Sequence, residues 1–274
     1  FGNQGEFPSH PELLDWLAIT FVENDWDLKK LISLMVSSAT YQQSSIMKKQ
    51  QAEKDPENVW LSRANASRLP AEMVRDQALA SSGLLVRKIG GESVKPYQPK
   101  GLWRELTANY ANEYKQDTGE KLYRRSLYTI WKRSSPPPSM INFDASDKYT
   151  CIIKRQNTNT PLQALVLMND PQYLEASRVL AEKMLVHGGD RATDQLKYGF
   201  KAITSREPVK SELKILEGLY QSELEEFIKT PYEADSLLRV GEYKNDVSLP
   251  KEKLAALTLV NSTLMNLDDA IFKR

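Results

Sequence analysis

A single cysteine, Cys151, excludes an internal disulfide and any cysteine-based zinc cluster. Only two histidines, His10 and His187, are present, which argues against a His-rich metal site. No apolar run reaches the ~18 residues that a bilayer span demands, so no membrane span is expected. Charge of one sign is also missing. Thirty-seven basic residues face 36 acidic ones, and a net charge of +1 gives no support to nucleic acid or a membrane surface as partner. Period-two strand patterns are few, and no repeat of solenoid length appears. Signal-peptide features are absent at Phe1, but there is no initiator Met and a motif is already under way. The expectation is a fragment of a longer protein, for which missing targeting says nothing about compartment.

What is present is enough for a folded body. Apolar residues make up 41%, with five Trp and twelve Tyr, which excludes a disordered chain. At 274 residues the chain can bury a core without staples. One mostly helical domain over residues 1–274 is expected, with a division into 1–120 and 121–274 as the alternative.

Helix signals recur along the chain. Ser9 and Glu12 suggest a capping box ahead of Leu13, Leu14, Leu17 and Phe21. Asp27 precedes a clean amphipathic stripe of Leu28, Leu31, Ile32, Met35, Val36 and Ala39, expected to face the core. Residues 41–56 read as an exposed connection or frayed helix. Leu69-Pro70 opens a helix with Met73, Val74, Ala78 and Leu79 inside and Gly83 as stop. Leu102, Trp103 and Leu106 suggest a turn or two, and residues 109–119 read as polar surface. Thr160-Pro161-Leu162-Gln163 is a strong helix start, and Asn169-Asp170-Pro171 restarts or kinks that helix. Further stripes follow at Leu196–Ile203, Leu213–Phe227 and Leu254–Met265, with 230–245 less regular. Asn261 lies on the apolar side of the last stripe and so needs a hydrogen-bond partner. The expected fold class is mainly α: an irregular multi-helix domain of eight to ten helices, with a Pro-rich central loop segment and little or no sheet.

The densest stretch runs from Lys121 to Pro171. Its Pro136-Pro137-Pro138 must be extended. Arg124, Arg125, Lys132 and Arg133 flank Tyr123, Tyr128 and Trp131, and Lys154 and Arg155 return soon after. Folded back, these cations can meet a sulfate, phosphate or uronate, with an aromatic ring stacking on a sugar. Thr158, Asn159 and the free N–H groups of the helix from Pro161 add an anion-friendly end. The candidate ligand-binding set is therefore Arg124, Arg125, Tyr128, Trp131, Lys132, Arg133, Asp144, Arg155, Thr158 and Asn159. A structural reading stands beside it: the arginines pair with Asp144, Asp147 and Asp170 and pin an irregular segment to the helical body. Cys151 reads as a nucleophile or as a small core residue, and His10 as a general base or a first-turn residue. Asp144, Asp147 and Asp170 read as paired carboxylates or as turn and cap residues. No catalytic residue can be named, and no metal site is written.

Phe7-Pro-Ser-His-Pro-Glu-Leu-Leu-Asp-Trp-Leu-Ala18, Trp26-Asp-Leu-Lys-Lys-Leu31, Ser38-Ala-Thr-Tyr41, Arg124-Arg-Ser-Leu-Tyr128, Pro136-Pro-Pro-Ser-Met140, Phe143-Asp-Ala145, Thr158-Asn-Thr-Pro-Leu-Gln-Ala-Leu165 and Asn169-Asp-Pro171 are similar to motifs of the planctomycete-type "PSD" domain of unknown function. So are Trp131-Lys-Arg133 and the closing Asn266-Leu-Asp268. That domain resembles the C-terminal part of planctomycete cytochrome c domain-containing proteins. The resemblance implies an extracytoplasmic setting and upstream domains of the same polypeptide as partners. It implies no activity, and no cofactor in this chain, with haem confined to an upstream domain. Asn157 departs from the pattern, standing where the family usually has Arg, which weakens a fixed-Arg anion site there. The expected function is a non-catalytic helical module that docks to its upstream domains or binds an anionic, sugar-like ligand through Lys121–Gln163. The alternatives are an enzyme acting on anionic polysaccharide fragments and an accessory to a c-type cytochrome.

Overall fold

The computed structural model describes residues 4–103 and 113–273. Leu106 and residues 109–112 of the polar run 109–119 therefore lie outside the described residues. The chain forms two compact units, Phe1–Ser67 with Phe272–Arg274, and Arg68–Ile271. The stretch around residue 120 lies inside the second unit. The protein is mainly α. Among the described residues there are twelve α-helices, and sheet is limited to two strands of two residues each, Ser67–Arg68 and Phe272–Lys273. The helices beyond the expected eight to ten include pieces of four to six residues, too short for an apolar stripe to announce them. No described helix is long and apolar enough to cross a membrane.

In the first unit, α1 spans Pro11–Glu23 and α2 spans Leu28–Val36. Ser9 does not cap α1. His10 holds the cap position with no side-chain bond to the backbone, and the Ser9 hydroxyl sits 3.0 Å from His10 Nδ1 instead. Asp27 caps α2 as expected, accepting from the N–H groups of Lys29 and Lys30 at 2.9 and 3.0 Å. Phe21 and Trp26 meet edge to face across the turn, 5.2 Å apart. Neither helix buries a single residue, so the α2 stripe that reads as core-facing lies open. α3, Lys49–Lys54, leads into a tight loop. There Asp55 accepts from Val59 and Trp60 N–H groups, and Arg63 donates back to the carbonyls of Asp55 and Pro56.

The second unit holds the core. α4 is Ala71–Ser82 and ends at Gly83, whose φ of 79° is the left-handed stop. Pro70 is its cap rather than its first helical residue. Met73, expected inside, is 56% exposed, and the buried face carries Arg75 instead. The next helices are α5 (Pro138–Asn142), α6 (Pro161–Asn169) and α7 (Pro171–His187). α8 (Ala192–Thr204), α9 (Lys210–Lys229), α10 (Pro231–Leu238), α11 (Lys251–Met265) and α12 (Asp268–Ile271) follow. α10 forms where residues 230–245 read as irregular, started by Pro231 at its first position. α7 and α11 are the central pair, each with ten buried residues, and α4, α8 and α9 pack around them. Asn261 of α11 has its partner: Nδ2 donates to the Ser177 carbonyl of α7 at 3.0 Å. Helices close at Gly199, where a Cβ would lie 2.7 Å from Met184 Sδ.

The central stretch is neither helix nor strand over Leu122–Trp131. It consists of two 3-10 turns, Gly119–Tyr123 and Ser126–Tyr128, with single parallel bridges from Val86 to Arg124 and from Val94 to Thr129. Pro136 and Pro137 are extended, while Pro138 opens α5 at its first position. Thr160 and Gln163 close the capping box on α6, and Asp170 restarts the chain as α7 by accepting from Gln172 N–H at 3.1 Å.

Candidate functional site

The stretch from 121 to 163 has an inner side of buried arginines and an outer side of open cations. On the inner side, Arg75 is wholly enclosed. Its guanidinium donates to the carbonyls of Leu122 (2.6 Å) and Arg124 (2.9 Å), to Ser126 Oγ (3.1 Å) and to Gln172 Oε1 (2.7 Å). Desolvation draws its pKa below the ordinary value, against the raising effect of Asp76. Asp76 also fixes the stretch, accepting from Ser126 N–H at 2.7 Å. Arg124 is buried too. It donates to the carbonyls of Lys88 (3.0 Å), Gly90 (2.6 Å) and Glu92 (3.3 Å), and lies 3.9 Å from the Tyr128 ring centre. Tyr128 completes the clamp, its hydroxyl accepting from Gly90 N–H at 2.7 Å. Gly90 and Gly91 both take positive φ, which lets this loop fold its carbonyls onto one guanidinium.

A second clamp closes the return of the chain. Arg68 donates to the carbonyls of Thr158 (2.8 Å) and Phe143 (3.0 Å) and pairs with Asp144 at 2.5 Å. Asp144, itself at φ 58°, also accepts from Thr158 N–H (2.8 Å) and Thr158 Oγ1 (3.0 and 2.9 Å). Gln163 ties the same hydroxyl to the Asn142 carbonyl. Burial opposes ionisation of Asp144, but the bonds from Thr158 and Arg68 outweigh it and hold the carboxyl below its usual range. The chain thus places its own carboxylate beside the start of α6. Arg155 forms a two-pronged pair with Glu72 of α4 at 2.6 and 3.0 Å. Glu72 is likewise held low by Arg155, against the desolvation of its half-buried site.

The remaining candidates stand apart from these two clamps and the Arg155–Glu72 pair. Arg125 and Asn159 are exposed. Trp131 donates from Nε1 to the Asp147 carbonyl at 3.2 Å, with Lys148 Nζ 5.7 Å from its ring centre. The Arg133 guanidinium lies 5.8 Å from the Tyr149 ring centre. Lys132 Nζ is buried 4.7 Å from the Trp103 ring and has no hydrogen-bond partner among the described residues. The ten candidates therefore do not converge on one cleft. Arg124 pairs with Tyr128, Asp144 with Thr158, and Arg155 with Glu72, each in a separate network.

Catalytic readings find little geometry. Cys151 is exposed, not a core residue. Asp144 and Asp170 serve different networks. Desolvation pushes Asp170 up, against its bond from Gln172 and the charge of Arg75. Among the described residues no three His, Cys, Asp or Glu side chains gather to hold a metal.

Arg68, Glu72 and Arg75 were absent from the candidate set. The signal for Arg75 was available: it occupies a core position in the α4 series 71, 74, 75, 78, 79, 82. A charged residue there implies buried acceptors.

A family model matches residues 1–220, and its description is "PSD1: Protein of unknown function (DUF1553)". The chain belongs to the PSD1 family. The match takes in both arginine clamps, the outer cations and the α1–α2 pair. No curated protein and no solved structure matches the chain significantly.

Proposed function

We propose that this PSD1 chain is a non-catalytic helical docking module of a larger exported polypeptide, and that its α1–α2 face receives the domains preceding it there. The observation that carries this reading is the open apolar surface of the first unit. Trp16 and Ile19 on α1 are 52% and 58% exposed, and Trp26 and Leu28 are 65% and 59% exposed. α1 turns apolar side chains in more than one direction, a pattern that belongs to a helix covered on several sides. Beside it lies a groove of about 640 Å³ lined by Leu13, Trp16, Leu34, Met35, Tyr41 and Leu61. Apolar surface on this scale marks an interaction site. The docked partner is an apolar helical surface of the same polypeptide. The extracytoplasmic setting and the absence of cofactor from this chain follow from the family resemblance and belong to the same proposal.

Titration calorimetry between this chain and the separately produced preceding domains tests the reading. A saturable complex is expected, weakened at least about tenfold by Ile19→Glu. Because Ile19 is exposed, that change leaves the stability of the isolated chain within about 0.5 kcal/mol. Absence of a complex, or an unaffected one, counts against the α1–α2 face.

A further inference from the structure

The outer side of the central stretch carries cations that the fold does not use. Residues 131–133 run beside 147–149, joined by the Trp131–Asp147 hydrogen bond. This juxtaposition sets Lys148 over Trp131 and Arg133 over Tyr149. Neither Arg133 nor Lys148 comes within 4 Å of a carboxylate among the described residues, while the Lys132 ammonium is turned inward against Trp103. Next to them is an open hollow of about 600 Å³, lined by Ser146, Lys148, Tyr149, Thr150, Cys151 and Arg155 among others. Arg155 is already held by Glu72, and Asp147 is the other acid close by, its carboxylate accepting from Tyr149 N–H. Three cations, Arg133, Lys148 and Arg155, thus stand near two carboxylates, Glu72 and Asp147, both of which have internal partners. The local field favours an anion.

The chemistry narrows the ligand. A guanidinium fork and an ammonium suit a carboxylate or sulfate group. The hydroxyls of Ser146 and Thr150 and the 59% exposed Tyr149 ring suit the hydroxyls and apolar face of a sugar. We propose that the hollow lined by Lys148, Tyr149 and Thr150, with Arg133 against Tyr149 at its edge, binds one or two residues of a carboxylated or sulfated oligosaccharide. This site lies in the second unit and does not depend on docking at α1–α2.

Calorimetry at low ionic strength with trigalacturonate, a sulfated disaccharide, a neutral trisaccharide, inorganic sulfate and single-stranded DNA tests it. Saturable binding of at least one anionic sugar and none of the neutral one is expected. The double variant Arg133→Ser/Lys148→Ser should weaken it about tenfold or more, while the exposed control Lys253→Ser leaves it unchanged. Tyr149→Ala, which leaves every charge in place, should weaken sugar binding but not the response to sulfate. The proposal is overturned if no anionic sugar binds, if the double variant binds as wild type does, or if sulfate or DNA binds as tightly as the sugars. A failure here with α1–α2 docking intact removes the sugar site alone.

Discussion

Arg75 shows how much one buried side chain can organise. It satisfies two carbonyls of a segment whose regular structure is limited to two 3-10 turns and single bridges, and so supplies bonding that longer secondary structure would otherwise give. Arg75→Met should therefore cost about 3–5 kcal/mol, because the freed carbonyls of Leu122 and Arg124 stay buried. Urea denaturation should show a lower midpoint with an unchanged slope. Asp144 makes a different prediction, in pH. Its folded pKa is depressed, so its contribution is fully present above the unfolded value near about 4 and fades as pH falls through the folded one. Glu72 works in the same direction. Asp144→Asn should be less stable than wild type at neutral pH, and the gap should close in acid. A gap that stays constant with pH would refute the ion-pair account of Asp144. The individual roles were only partly legible in the sequence. Thr160, Gln163, Asp27 and Gly83 announced themselves, because caps act over a few residues. The partners of Arg124 did not, because lone carbonyls 32 to 36 residues away leave no sequence mark.

At the scale of elements, α8 buries the one face that its apolar stripe marks, whereas the central α7–α11 pair is buried on nearly every side. Leu180, fully buried on α7, should cost about 2–5 kcal/mol on truncation to Ala, measured by the shift in denaturation midpoint. α2 teaches the opposite lesson. Its stripe is as regular as any in the chain, yet it faces outward. Periodicity says that a face is to be covered and is silent on what covers it. Pieces as short as α5 and α12 escaped for a related reason: one turn of helix is held by its surroundings and not by its own pattern.

For the molecule as a whole, the two units divide the work. The second carries the buried core and its arginine clamps, and the first, much the smaller unit, carries half of the exposed large apolar side chains among the described residues. Mainly α architecture was readable from strand-poor, stripe-rich sequence. The split of the basic cluster into a buried set and an open set was not, since Arg124 and Arg133 look alike in a one-dimensional string. That split underlies both the structural reading of the central stretch and the proposed anion site. Its most direct test is urea denaturation of Arg124→Ala beside Arg133→Ala. Arg124→Ala should lose about 2–4 kcal/mol through the emptied site of its buried side chain and its lost bonds to the 88–92 loop, and Arg133→Ala should stay within about 0.5 kcal/mol of wild type. Equal losses, or a tolerated Arg124→Ala, would contradict the division of the stretch into a clamp and a free surface.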